Sequence, residues 1–152
     1  MPTGYRSMQG KCLCEQVKFE ITGTTPKLYQ CHCSLCRKQG GSTSNTAAIV
    51  AAENFRWLSG EDNISSYVKP TGFRSDFCST CGSTVPNPLR KTRFYWVPSG
   101  MLDGSERLEI SAHLFVGSRA CWDTAPLSGQ VYDTMPDDML AFIRALNADP
   151  AS

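Results

Sequence analysis

Three thiols lie within six residues in the stretch Cys31-His32-Cys33-Ser34-Leu35-Cys36, which is followed by Arg37-Lys38 and the pair Gly40-Gly41. Sulfurs spaced this closely converge when the backbone turns, and a metal ion is the simplest thing to put where they meet. Three protein ligands leave a tetrahedral zinc with one free position, as expected where the metal takes part in chemistry. A free thiol titrates near about 8.5, so little of it is nucleophilic thiolate at neutral pH. Bound to zinc it is deprotonated outright. Three cysteinates soften the ion and favour sulfur over a hard oxygen as the fourth donor, so the natural visitor is a small thiol substrate.

The chain holds eight cysteines. Beyond the first three stand the pair Cys12/Cys14, the pair Cys78/Cys81 on Cys78-Ser79-Thr80-Cys81-Gly82, and the single Cys121. Spacing leaves two solutions open. In one, Cys33/Cys36 joins Cys78/Cys81 as a plain zinc ribbon and the other thiols are spare. In the other, Cys12, Cys14, Cys78 and Cys81 close a four-thiolate structural site, and Cys31, Cys33 and Cys36 hold a second zinc with an open position. The second solution employs seven thiols and the first only four.

Several short elements must position these groups. Val17, Phe19 and Ile21 alternate with polar residues and predict a half-buried strand after a short polar lead over residues 1–9. Residues 34–39 fit one or two helical turns capped by the glycines behind them. Strands are expected over 42–50, 55–58, 64–68, 93–97 and 108–116. In the last of these Ile110, Ala112, Leu114 and Val116 share one face, with His113 and Phe115 on the other. A strand from Phe73 enters the Cys78–Cys81 turn, which Gly82 lets the chain leave. The chain closes with a helix over about 135–147, capped by Thr134, with Pro136 in its first turn and Met139, Phe142, Ile143 and Leu146 as its apolar stripe.

At 152 residues the chain is read as one domain spanning 1–152, long enough to bury roughly two-thirds of its unfolded surface. Hydrophobic residues at 41%, charged residues at 19% and a net charge of +1 describe a globular protein with no general attraction to nucleic acid. Arg90-Lys91-Thr92-Arg93 reads as a solvated turn. No apolar run reaches the length of about twenty residues that crosses a bilayer, and the start lacks the pattern of a signal peptide. The expectation is a cytoplasmic protein without a membrane, where reduced thiols point to metal before disulfides.

Three segments together resemble the signature of the glutathione-dependent formaldehyde-activating enzyme family, which includes centromere protein V. They are Gly10-x-Cys12-x-Cys14, then Cys31-His32-Cys33-Ser34-x-Cys36-Arg37-Lys38-x-x-Gly41, then Arg74-x-x-Phe77-Cys78-x-x-Cys81-Gly82-Ser83. Ser99-Gly100-Met101-Leu102-Asp103 and His113-Leu114-Phe115-Val116-x-Ser118-Arg119-x-x-Trp122 extend the resemblance, which runs from about residue 10 to residue 122. It implies a mainly β fold, the β-tent of short antiparallel sheets around a zinc knuckle, here with a C-terminal helix. It also implies the second solution for the cysteines: two zincs per chain, structural on Cys12, Cys14, Cys78 and Cys81, catalytic on Cys31, Cys33 and Cys36. The implied activity is that of a carbon–sulfur lyase forming or cleaving S-hydroxymethylglutathione, or a related small thiol adduct. The alternative is a non-catalytic, zinc-stabilised protein-binding module.

Glutathione carries two carboxylates, so Arg37 and Lys38, with Arg119 as a weaker candidate, are expected near the metal, and Trp122 is expected in the pocket wall. His32, between two ligands, is the candidate proton shuttle, given an ordinary pKa near about 6.5. Members of the family that the chain resembles commonly carry proline just before the tryptophan, where this chain has Cys121. That cysteine reads either as a small buried hydrophobe or as a fourth donor that would close the second zinc and abolish catalysis by this route.

Overall fold

In a computed structural model of the chain, which describes residues 5–104 and 108–148, eleven strands and two α-helices follow in order. They are β1 (Tyr5–Lys11), β2 (Lys18–Thr24), β3 (Leu28–Cys31), α1 (Ser34–Gly40), β4 (Asn45–Ala51), β5 (Phe55–Ser59), β6 (Ile64–Val68), β7 (Arg74–Cys78), β8 (Asn87–Pro88), β9 (Phe94–Pro98), β10 (Ile110–Leu114), β11 (Gln130–Val131) and α2 (Met139–Leu146). The fold is mainly β, in short sheets with a C-terminal helix, as expected. None of the described helices is long and apolar enough to cross a membrane.

A six-stranded sheet runs β11-β10-β3-β4-β9-β8, a three-stranded sheet β1-β2-β5, and β6 pairs with β7. Pairing is antiparallel except around β10, which lies parallel to both β3 and β11. β4 has no solvent-facing side in its centre. Ala48 and Val50 enter a core with Val17, Phe19, Ile21, Val85 and Val97, beneath the three-stranded sheet. Ala47 and Ile49 enter a second core with Tyr29, Trp96, Leu114, Phe142, Ile143 and Leu146, which α2 helps to cover. A small, β-branched and apolar strand without polar alternation is what burial on both faces requires. The first core is stiffened by stacked rings, with Phe55 lying 5.5 Å from Phe19 and 4.1 Å from Tyr95 between centroids.

Local details depart from the sequence reading in four places. Part of the polar lead forms β1, which pairs with β2 from Tyr5 opposite Thr24 to Lys11 opposite Lys18; residues 1–4 lie outside the described residues. Backbone pairing and the approach of Gly10 to the Phe19 ring replace the apolar alternation that the segment lacks. In β10 the expected two faces collapse, because Ala112, His113 and Leu114 are all buried in the interior of the sheet, while Ile110 is partly exposed. The strand then stops at Phe115, whose φ of 57° is left-handed. The closing helix starts at Met139, not at 135, and its cap is Asp138, whose side chain accepts from the Ala141 N–H at 3.0 Å. Thr134 is not the cap: it lies five residues before Met139, in a non-helical stretch where its carbonyl accepts the Phe115 N–H at 3.0 Å.

β3 leads directly into the first thiol cluster, and β10 braces it through buried histidines. The ring of His32, just after β3, lies 3.0 Å from His113 of β10 between Nε2 and Nδ1, and the His32 backbone N–H donates to the Leu114 carbonyl at 2.9 Å. On its other side His32 Nδ1 stands 3.8 Å from Asp123, which is held in turn by Arg119 at 3.1 Å. Burial holds both imidazoles below the usual histidine range, and for His32 the neighbouring His113 adds to the effect.

Two expectations follow. Asp138→Ala should cost about 1 kcal/mol in a urea titration, whereas Thr134→Ala should stay within about 0.5 kcal/mol; the reverse order would return the helix start to 134. Because both histidines titrate lower in the folded chain than in the unfolded one, the unfolded chain binds more protons as pH falls. Stability is therefore full above about pH 6.5 and declines below it, by up to about 1.4 kcal/mol per pH unit for each histidine. His113→Gln should flatten that slope by up to about one proton, and an undiminished slope would place its origin elsewhere.

Candidate metal centres and cavity

The first cysteine group is made by two turns from distant parts of the chain. After β1 the chain folds tightly, with the Glu15 N–H donating to the Cys12 carbonyl and the Cys12 N–H to the Val17 carbonyl, each at 3.0 Å. After β7 the knuckle closes through Gly82 N–H to the Cys78 carbonyl at 2.8 Å, and Gly82 leaves it with a φ of 78°. The turns are tied by the Leu13 N–H, which donates to the Ser83 hydroxyl at 3.0 Å. Cys12 and Cys14 sulfurs are 3.6 Å apart, and Cys14 and Cys78 sulfurs 3.7 Å. A disulfide needs about 2.05 Å, while a tetrahedron of zinc–sulfur bonds of about 2.3 Å sets its sulfurs about 3.8 Å apart. The four thiols therefore fit a metal ion.

The group also has the protonation conflict expected of clustered thiols. Ser83, through its hydroxyl and backbone, holds Cys81 down to about 5. Against the pull of the Gln16 backbone, burial and the thiols of Cys12, Cys78 and Cys81 push Cys14 up to about 12. A cation at the centre removes the conflict by stabilising every thiolate at once.

The second group comprises Cys31, Cys33 and Cys36, whose sulfurs all lie within 4.8 Å of one another. Cys31 ends β3, Cys33 is the N-cap of α1 and accepts the Cys36 N–H at 3.4 Å, and Cys36 is buried in the first turn of that helix. The Cys36 thiol hydrogen-bonds Cys31 and holds it down to about 6 in spite of burial. That same contact, together with burial, drives Cys36 far above the usual thiol range. Among the described residues no fourth cysteine, histidine or carboxylate joins these three. Cys121 does not: it is an exposed free thiol, neither the buried hydrophobe nor the fourth donor that the sequence reading entertained. Its place in the turns after β10 takes it to the surface.

The two groups differ in what they face. Cys31, Cys33 and Cys36 all line a cavity of about 910 Å³, whereas none of Cys12, Cys14, Cys78 and Cys81 does. Deep in the cavity Trp96 Nε1 donates to the Tyr29 hydroxyl at 2.9 Å, and both rings are buried. Burial, reinforced by charge on Cys31 and Cys36, pushes the Tyr29 phenol far above its ordinary range, so it keeps its proton. Lys69, Arg74, Arg90 and Lys91 border the cavity, and no acidic side chain does among the described residues. Arg74 is engaged by Asp76 at 2.8 Å, while Lys69, Arg90 and Lys91 have no salt-bridge partner among the described residues. Arg90 packs over Gly72, where an added Cβ would stand 2.2 Å from its guanidinium.

The other residues singled out from sequence fall outside this cavity. Arg37 and Lys38 sit on α1 but do not line it, although Leu35 and Gln39 of the same helix do. His32 is 1% exposed and faces His113 and Asp123, because alternate residues of a Cys-x-Cys segment point opposite ways. Trp122 is 65% exposed and lies away from the lining, and Arg119 is spent on Asp123. Sequence reasoning missed Tyr29, although it stands two residues before Cys31. Arg90 and Lys91, a solvated turn by sequence, are indeed exposed, yet they stand at the cavity.

Residues 7–118 match the family described as glutathione-dependent formaldehyde-activating enzyme. A Schizosaccharomyces pombe protein named as an uncharacterized lyase is 24% identical over 125 residues, which cover 77% of this chain and 85% of that one. A crystal structure of a Rhodobacter sphaeroides protein superposes with a TM-score of 0.54 at 25% identity, covering 68% of this chain and all of the other. With the thiol motifs in order and the match spanning most of its length, the chain belongs to the glutathione-dependent formaldehyde-activating enzyme family.

Proposed function

We propose that the protein is a zinc-dependent carbon–sulfur lyase that forms or cleaves the adduct of glutathione, or a related small thiol, with an aldehyde. One observation carries this reading: three clustered thiols, joined by no fourth protein donor among the described residues, open onto a large cavity, while the four-thiol group does not. Cys12, Cys14, Cys78 and Cys81 hold a structural zinc, and Cys31, Cys33 and Cys36 hold a catalytic one. Bound there, zinc supplies a position at which an incoming thiol is ionised near neutral pH.

The chain's own groups then divide the remaining work. Lys69, Arg90 and Lys91 receive the carboxylates of the tripeptide, in place of Arg37 and Lys38. In the forming direction the thiol sulfur attacks the aldehyde carbon, the carbon–sulfur bond forms, and the carbonyl π pair moves to oxygen. Tyr29, whose hydroxyl accepts from Trp96 and still owns its proton, donates a hydrogen bond to that oxygen. The proton lost by the thiol ends on the oxygen. In cleavage the hydroxyl proton leaves, the carbonyl re-forms, and the electron pair of the broken bond stays with sulfur.

Metal content by mass spectrometry and adduct exchange by NMR test the assignment. Cys33→Ser should stay folded, fall from about two zincs per chain to about one, and lose exchange of S-hydroxymethylglutathione. Cys78→Ser should unfold the chain, since a structural zinc contributes on the order of 10 kcal/mol. Turnover surviving in Cys33→Ser would sink the reading. Tyr29→Phe should keep its zinc and its KM and lose about a hundredfold in kcat; an unchanged kcat would remove Tyr29 from the reaction.

A further inference from the structure

The cavity must take a whole tripeptide adduct, of which a hydroxymethyl group is a small part. That group adds one carbon and one oxygen to a thiol, yet the space measures about 910 Å³, near the upper end of the range of about 300–1,000 Å³ that accommodates drug-sized ligands. Much of its wall is apolar, with Phe73, Trp96, Phe115, Met135 and Met139 among the lining residues. Trp96 offers a ring face and no polar atom, because its indole N–H is committed to Tyr29 at 2.9 Å. Phe115 is set there by a turn in which its backbone is left-handed, at φ 57° and ψ 40°, a conformation disfavoured for a bulky side chain. Met135 is 43% exposed and Met139 partly buried, a pair of flexible side chains suited to apolar groups of varied shape. Formaldehyde uses none of this surface.

Cationic side chains border the same cavity, and Lys69 shares the turn of Phe73, whose carbonyl accepts its N–H at 2.8 Å. Lys69 lies in the turn between β6 and β7, and Arg90 and Lys91 lie in the turn between β8 and β9. All three border the cavity, and no carboxylate among its lining residues opposes them. A ligand that satisfies both features carries anionic groups, a sizeable hydrocarbon and a sulfur for the three thiols.

We infer that the preferred substrate is the hemithioacetal of an anionic thiol such as glutathione with a long-chain or aromatic aldehyde, and not the formaldehyde adduct. This rests on the lyase reading above and narrows its substrate. The chemistry is unchanged and needs no oxidant: the carbon–sulfur bond breaks with its pair going to sulfur, the hydroxyl oxygen forms the carbonyl, and its proton ends on the thiol.

Two thioethers of the same tripeptide read the wall without turnover, because neither can be ionised at sulfur and they differ only in hydrocarbon. On the zinc-loaded protein, calorimetry should show S-hexylglutathione binding at least about tenfold tighter than S-methylglutathione. Phe73→Ala should cut that ratio to below about threefold, and Lys91→Glu should weaken both ligands alike. If Phe73→Ala does not fold, Met135→Ser serves the same purpose on a more exposed side chain. NMR exchange should give hexanal a kcat/KM at least about tenfold above that of formaldehyde. Equal binding of the two thioethers, or a ratio unmoved by the wall variants, overturns the inference even if formaldehyde exchange is catalysed. Absence of exchange with either aldehyde by fully zinc-loaded protein instead overturns the lyase reading, and this substrate with it.

Discussion

The side chains of β4 alternate between two cores, and the rest of the molecule is disposed about that division. Ala48 and Val50 pack with Phe19 and Val97 on one side, and Ala47 and Ile49 pack with Tyr29 and Trp96 on the other. Each core carries one thiol group at its margin, with Cys12 and Cys78 in the first and Cys31 and Cys36 in the second. The thiols are thereby partly withdrawn from water, which penalises their ionised forms unless a cation accompanies them. That single constraint suits both groups to a metal ion, and their surroundings differ. The first is closed by a fourth sulfur and knotted by the Leu13–Ser83 contact. The second is left with three and faces a cavity.

The buried His32–His113 contact belongs to this arrangement although it takes no part in the cavity. It joins the segment between Cys31 and Cys33 to β10, and Asp123 and Arg119 extend the join to the turns beyond. A Cys-x-Cys segment has no regular secondary structure of its own between the two thiols. The polar array fixes its middle residue from behind, so that the flanking sulfurs face the other way. The strained turn at Phe115 performs a comparable service one residue beyond β10, bringing an aromatic ring to the cavity. A left-handed bulky residue costs on the order of 1 kcal/mol, and the carbonyl of Thr134 helps to hold it through the Phe115 N–H.

The thiol clusters were legible in the sequence because their geometry is mostly local. A Cys-x-Cys or Cys-x-x-Cys spacing on a turn places its sulfurs together whatever the fold, and the knuckle signal at Gly82 is of the same kind. The C-terminal stripe of Phe142, Ile143 and Leu146 was legible for the same reason, as one helical face. What escaped depends on partners remote in the chain. Tyr5 to Lys11 carries no strand-like alternation and becomes β1 only because β2 offers it a register. The start of α2 is capped by Asp138 while Thr134 pairs with Phe115 in a non-helical stretch, a long-range contact that no local capping pattern contains. The cavity is built from residues near 69–74, 87–92, 96 and 135–139, so no window of sequence could show that Arg90 and Lys91 border it while Arg37 and Lys38 do not. The exposure of Cys121 was likewise set by the course of the turns around it.

The parallel seating of β10 beside β3 has a consequence for the order in which the molecule is made. A ribosome releases the amino end first, and domains begin to organise as their parts emerge. Both turns of the four-sulfur group are available once residue 82 is free, so its sulfurs can come together while synthesis continues. β3 gains its β10 neighbour more than eighty residues after it has itself emerged, and α2 reaches the same core later still. The half that carries Cys31, Cys33 and Cys36 is thus the last to be assembled, and its thiols stay without their final cover for longest in a growing chain.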